Sequence, residues 1–117
     1  MQPYSKMYIA VLDEAPDFMV PTLVAHSVIN AHCKFLEDCF VAGDETYHEW
    51  FHNSYRKVVI KVNRKEYNKI KTTLVHWEGH ENTICNGEGS CLVVLPVMSD
   101  KLPNVLKYAK TWKPKEN

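Results

Sequence analysis

Short apolar segments separated by helical patterns constrain the fold of this 117-residue chain more than any other feature. Residues 7–12, 57–62 and 92–97 are rich in apolar and β-branched side chains and have the length of buried strands. Between them, apolar side chains recur every three or four residues in 20–40 and again in 67–74, which is typical of helices. Strands without polar alternation, separated by helices, predict a sheet covered on both faces.

Weaker patterns complete the predicted architecture. They indicate a short helix, a fourth strand, a polar glycine-containing loop and a last helix, at residues 45–52, 74–77, 78–90 and 99–112. We expect one domain over residues 1–117 with its core in 6–113, because 117 residues support a single core. The predicted fold is α/β, a three-layer α/β/α sandwich with a mixed four-stranded sheet. The long helix is apolar nearly all round, so we expect it to be covered on much of its circumference.

Charge and hydropathy narrow the class of protein. The net charge is zero, which argues against a chain that coats nucleic acid non-specifically. Residues 1–54 nevertheless hold two basic and eight acidic side chains, and residues 55–117 hold twelve and six. A basic surface region and ordinary solvated lysines both account for this. We expect a cytoplasmic protein without membrane association, because no 18-residue apolar run and no signal-peptide pattern occurs.

Two blocks of sequence, together with the order of predicted elements, resemble the type-2 peptidyl-tRNA hydrolase family. Trp50-Phe51 followed by residues 56–62 is similar to that family's tryptophan-containing helix and its lysine- and valine-rich second strand. In the second block, residues 78–96, five positions fall in register with the family's loop and final strand: Ile84, Gly87, Leu92, Val94 and Pro96. The similarity covers residues 6–113 and implies that family's fold.

The resemblance also implies an activity and a site. The family cleaves the ester that joins a peptide to the terminal ribose of tRNA, using a lysine at the start of the long helix and an aspartate and a threonine in the loop before the last strand. The lysine position corresponds here to Thr22, the glutamine of the next turn to His26, the aspartate to Glu78 and the threonine to Asn82. Thr22 cannot supply a cation, so the family's ordinary mechanism needs a substitute for the lysine.

His26 is the predicted substitute. It lies on a polar side of the long helix with Thr22 and Asn30, four residues away in each direction. We expect His26 and Glu78 to position water for ester hydrolysis. The expected donors to the developing oxyanion are two neighbouring residues of the loop, Asn82 and Thr83.

The remaining expectations concern binding. Thr22, Asn30 and His80 are the predicted binding residues, and the expected partner is tRNA or a nucleotide-like ligand. In the alternative, His26 is a structural histidine and the same cleft binds tRNA, a nucleotide-like molecule or a protein without catalysis. A homodimer is one assembly open to the chain. Whether the protein is an enzyme stays open at this point.

We expect no cofactor and no metal. His48 and His52 have the i, i+4 spacing of helical metal ligands but lack a third ligand. The four cysteines form no close CxxC pair, so reduced thiols are expected, with a Cys85–Cys91 bridge as the less favoured alternative.

Overall fold

The computed structural model describes residues 2–115 and contains one six-stranded sheet with helices packed against it. The strands β1 to β6 are Ser5–Leu12, Arg56–Val62, His76–His80, Gly89–Val94, Val97–Met98 and Lys110–Thr111. The helices α1 to α4 are Val20–Ala42, Thr46–Glu49, Arg64–Thr73 and Asn104–Lys107. The predicted α/β class is confirmed.

The sheet is mixed, but it has six strands where the sequence predicted four. Its order is β3-β4-β1-β2-β6, with β5 pairing on β1; β1 and β2 are parallel and the other pairs are antiparallel. The two additional strands, β5 and β6, have two residues each, too few to leave a periodic pattern. The strand predicted at 92–97 is interrupted at Leu95 and Pro96, because proline has no N–H to donate to a ladder.

Strand β1 lies between two apolar cores. Met7, Ile9 and Val11 belong to one core, which they share with α1 and α2. Ala10 and Leu12 belong to the other, which they share with α3 and α4. Successive side chains of a strand point to opposite faces, and here both faces are covered. This explains why the strand is apolar throughout instead of alternating.

Helix α1 is buried on one side only. It has Pro21 in its first turn and ends at Gly43, which adopts the left-handed conformation with φ 67° that favours glycine. Its buried residues are Val20, Leu23, Ser27, Ala31 and Phe35. The prediction of a helix covered on much of its circumference is wrong, because the sheet covers one side and leaves Ile29 and Phe40 65% and 87% exposed.

Two other predicted helices differ from the structure. The predicted helix 45–52 is α2 continued by a π-helix at Trp50–Ser54, which ends at Tyr55 with a left-handed φ of 55°. The predicted helix 99–112 is only a 3₁₀ turn at Ser99–Lys101, the single turn of α4, and β6. Pro103 separates the first two pieces, because it lacks an N–H and disfavours a helical residue before it.

Two further observations concern the helices and the cysteines of the described residues. Within residues 2–115, no helix is long and apolar enough to cross a bilayer. The four cysteines are unbridged, including Cys85 and Cys91.

Candidate active site at strand β3

Strand β3 presents successive side chains to opposite faces of the sheet. Trp77 packs into the core beneath α1. Gly79 lies so close to α1 that a Cβ atom added there would be 1.9 Å from Ser27 Oγ and 3.3 Å from Ser27 Cα. Glu78, between them, points to the other face and reaches α3. The sequence predicted a loop from residue 78, so the strand and its alternation place these residues differently than expected.

Glu78 is fixed in a polar network with α3. Its carboxylate accepts a hydrogen bond of 2.7 Å from the Tyr67 hydroxyl and lies 3.0 Å from Lys71 Nζ. Burial by itself would raise the pKa of Glu78, but the hydrogen bonds from Tyr67 and Lys71 outweigh it and hold that pKa below its ordinary value. Burial and the bond to Glu78 together raise the pKa of Tyr67. The predicted pairing of His26 with Glu78 is therefore not formed, since the two carboxylate oxygens of Glu78 face α3.

His26 is paired instead with Glu81, the residue that follows β3. His26 Nδ1 lies 2.6 Å from Glu81 Oε1, with the imidazole 61% exposed and the carboxylate 17% exposed. The pairing of β3 with β4 becomes irregular between Gly79 and His80, where the strand ends. Glu81 Oε1 is shielded from solvent and accepts no aligned hydrogen bond within residues 2–115.

A small cleft of about 220 Å³ opens beside this pair, between α1 and β3. It is lined by His26, Ser27, Asn30, Trp77, Glu78, Gly79 and His80. Four predicted site residues are therefore brought to one cleft: His26, Asn30, Glu78 and His80. Thr22, Asn82 and Thr83 are exposed and are not among the residues that line it. Glu78 contributes to the wall of the cleft while its carboxylate is engaged on the opposite face.

Sequence reasoning missed two polar groups at this cleft. Glu81 was not singled out, because both glutamates lay in a predicted loop and the family resemblance placed the aspartate position at Glu78. Trp77 Nε1 is buried and has no hydrogen-bond partner within the described part of the chain. A buried indole N–H ordinarily has a partner, so this group is a donor available to water or a ligand.

The described residues do not form a candidate metal site. His48 and His52 face each other with ring centroids 4.2 Å apart. Among residues 2–115, no group of three or more histidine, cysteine, aspartate or glutamate side chains is placed to hold a metal ion.

No protein-family model matches this sequence, and no curated protein matches it significantly. The resemblance to type-2 peptidyl-tRNA hydrolases therefore rests on the sequence blocks described above and stays a prediction.

Proposed function

We propose that this protein hydrolyses an ester of the peptidyl-tRNA or aminoacyl-ester type in the cleft between α1 and β3, on a divergent form of the type-2 peptidyl-tRNA hydrolase sandwich. The observation that carries the proposal is the contact of 2.6 Å between His26 Nδ1 and Glu81 Oε1. A histidine oriented by a carboxylate is an arrangement that activates water at neutral pH. Because the proposed substrate is a product of translation, the proposed place of action is the cytoplasm.

The chemistry follows from the two nitrogens of the imidazole. A neutral His26 whose Nδ1–H points to Glu81 keeps Nε2 free to accept a proton. Nε2 takes a proton from water as the water oxygen attacks the ester carbonyl carbon and a tetrahedral oxyanion forms. The imidazolium, stabilised by the Glu81 carboxylate, then protonates the ribose oxygen as the ester C–O bond breaks. The products are a carboxylic acid and a free ribose hydroxyl, and His26 is neutral again.

Asn30 is the proposed donor to the oxyanion. It lies one helical turn after His26 and lines the same cleft, so its amide N–H groups are carried by a rigid element. Loss of one such donor typically lowers kcat by about 10²–10³-fold. Asn82 and Thr83 follow Glu81 in the chain and stay proposed as further donors.

An RNA substrate requires cationic contacts away from the cleft, since no lysine or arginine is among the residues that line it. Lysines lie at the opposite edge of the sheet: the half-buried Lys61 and the exposed Lys110 and Lys113 border one depression on β2 and β6. That edge is four strands from β3, or about 19 Å at the usual spacing of strands. A tRNA could span this distance, so the basic second half of the sequence supports the proposed substrate.

The test is hydrolysis of peptidyl-tRNA by the purified chain and by two matched histidine variants. His26→Ala is expected to lower kcat by about 10²–10⁴-fold, the usual contribution of a general base. His52→Ala removes an exposed histidine on the π-helix and is expected to leave kcat unchanged. Absence of turnover in a protein with a cooperative unfolding transition would contradict the proposal, as would equal losses in both variants.

A second candidate function is binding without hydrolysis through the same cleft. The unpartnered Trp77 Nε1 and the absence of lysine and arginine from the lining residues favour a small, uncharged or nucleoside-like ligand. Isothermal titration calorimetry with adenosine and with deacylated tRNA, read together with the hydrolysis assay, distinguishes this binding function from the hydrolase. Binding of adenosine without turnover of peptidyl-tRNA would favour this candidate over the hydrolase.

A further inference from the structure

Helix α1 carries a second apolar stripe on the side that faces solvent. We call this the outer stripe: Ala25, Ile29, Cys33, Leu36 and Phe40, all exposed. At about 100° per residue, these positions lie on the side of the helix opposite Val20, Leu23 and Ala31, which face the sheet. A helix that covers a sheet usually has a polar outer side, so a stripe of this kind indicates that something covers it.

The spacing of the outer stripe is that of a helix–helix contact. Its members are separated by four, four, three and four residues, which keeps them in one line along about 22 Å of helix. A groove of about 750 Å³ continues the apolar surface beyond Leu36 and Phe40, towards Tyr47 on α2. The surface therefore suits an elongated partner, such as another helix, better than a compact ligand.

We propose that the outer stripe is the contact surface of a homodimer, in which the α1 helices of two copies pack antiparallel about a two-fold axis near His32 and Cys33. In this register each Ala25 lies opposite Phe40 of the second copy, and each Ile29 lies opposite Leu36. The smallest side chain of the stripe thus meets the largest, which allows close packing of the two helices.

The charges of α1 favour the same arrangement. Residues 18–36 contain no acidic side chain, whereas Glu37, Asp38, Asp44 and Glu45 follow within nine positions. Lys34 Nζ lies 3.1 Å from Asp38 Oδ1 and compensates the charge of Asp38, but Lys34 is not paired with Glu37, Asp44 or Glu45. Acidic groups near a helix C-terminus oppose the macrodipole of their own helix. Antiparallel packing brings this acidic end towards the positive N-terminal end of the second helix, so the charges become complementary.

Sedimentation equilibrium over a range of protein concentrations tests the dimer with two matched phenylalanine variants. Phe40 lies on the outer stripe and is 87% exposed, and Phe18 lies outside it and is 79% exposed. Both substitutions to serine are expected to leave the fold intact. We expect a reversible dimer in the unaltered chain and in Phe18→Ser, and at least a tenfold higher dissociation constant in Phe40→Ser. A monomer at every concentration, or equal association of all three chains, would overturn the proposal.

Cross-linking tests the direction of packing. Diamide, which is reduced to the hydrazine as two thiols become one disulfide, is expected to cross-link the unaltered chain and not Cys33→Ser. In a background that lacks both Cys33 and Cys39 (Cys33→Ser with Cys39→Ser), Ala25→Cys is expected to stay uncross-linked, because position 25 lies opposite position 40. A disulfide dimer formed through position 25 would show parallel packing and overturn the antiparallel register.

Discussion

Two carboxylates, Glu78 on β3 and Glu81 directly after it, lie in contrasting surroundings. On the α3 side, Glu78 has both oxygens engaged by Tyr67 and Lys71, in a network that joins a helix to the sheet. On the α1 side, Glu81 meets an exposed imidazole, beside a cleft that is also lined by Trp77, whose indole N–H has no partner among the described residues. Polar groups with every partner in place hold a fold together, whereas groups with free donor or acceptor positions are available for chemistry. These surroundings support a structural role for Glu78 and are consistent with the chemical role proposed for Glu81.

The largest expected effect on stability comes from the α1 side, at Gly79. An added Cβ atom there would be 2.7 Å from Ser27 Cβ and 3.3 Å from Ser27 Cα, so helix and strand would have to separate. Gly79→Ala is expected to lower the free energy of unfolding by up to about 3 kcal/mol, measured by urea denaturation. In a Ser27→Gly background the same change should cost much less. An equal cost in both backgrounds would show that close packing of α1 on β3 is not the reason for the glycine.

A smaller effect is expected on the α3 side, from Tyr67→Phe. The change removes the hydroxyl that donates to Glu78 and leaves the buried ring in place. Because hydrogen bonds to charged groups are worth more than neutral ones, we expect a loss of about 1.5 kcal/mol in unfolding free energy. Tyr108→Phe, at an exposed tyrosine, serves as the control and should cost almost nothing. Peptidyl-tRNA hydrolysis by Tyr67→Phe should be unchanged, and a large loss of kcat would move the α3 side into the active site.

The smallest expected effect is the pH dependence that Glu78 gives to stability. Its pKa is lowered in the folded protein, so its charged form stabilises the fold above the unfolded-state pKa of about 4.3. This contribution is lost as the pH falls through the folded-state pKa. The difference in unfolding free energy between the unaltered chain and Glu78→Gln is therefore expected to be about 1 kcal/mol or less at pH 7 and to vanish in acid. A difference that grows as the pH falls would contradict the assignment.

Local signals in the sequence identified the elements whose structure is determined locally. Asn63 and Glu66 have the spacing of a capping box and form one, with reciprocal side-chain to backbone hydrogen bonds of 2.8 Å at the start of α3. Pro21 and Gly43 mark the two ends of α1 in the same way. In contrast, β5 and β6 are strands only because a neighbouring strand lies beside two residues of extended chain. Such pairing depends on distant parts of the chain, and no local pattern records it.

The sequence predicted only part of the candidate site, because the rest of that site also depends on how strands pair. Helical spacing placed His26 and Asn30 on one side of α1, and both line the cleft. The family resemblance selected Glu78, and the direction of its side chain depended on whether residue 78 begins a loop or continues a strand, because a strand sends its successive side chains to opposite faces. The predicted fourth strand ended at residue 77, because Glu78, Gly79 and His80 are polar or have no side chain, so the pattern did not indicate that the strand continues to His80. Pairing with the apolar strand β4 continues β3 to His80, so the Glu78 side chain points to the face covered by α3.

The central claim is that Glu81, and not Glu78, belongs to the active site. The most direct measurement compares Glu81→Gln with Glu78→Gln, using peptidyl-tRNA hydrolysis and urea denaturation on the same preparations. We expect Glu81→Gln to lose turnover and to keep its unfolding free energy, and Glu78→Gln to lose stability and to keep turnover. The reverse result, with turnover lost in Glu78→Gln and retained in Glu81→Gln, would contradict it.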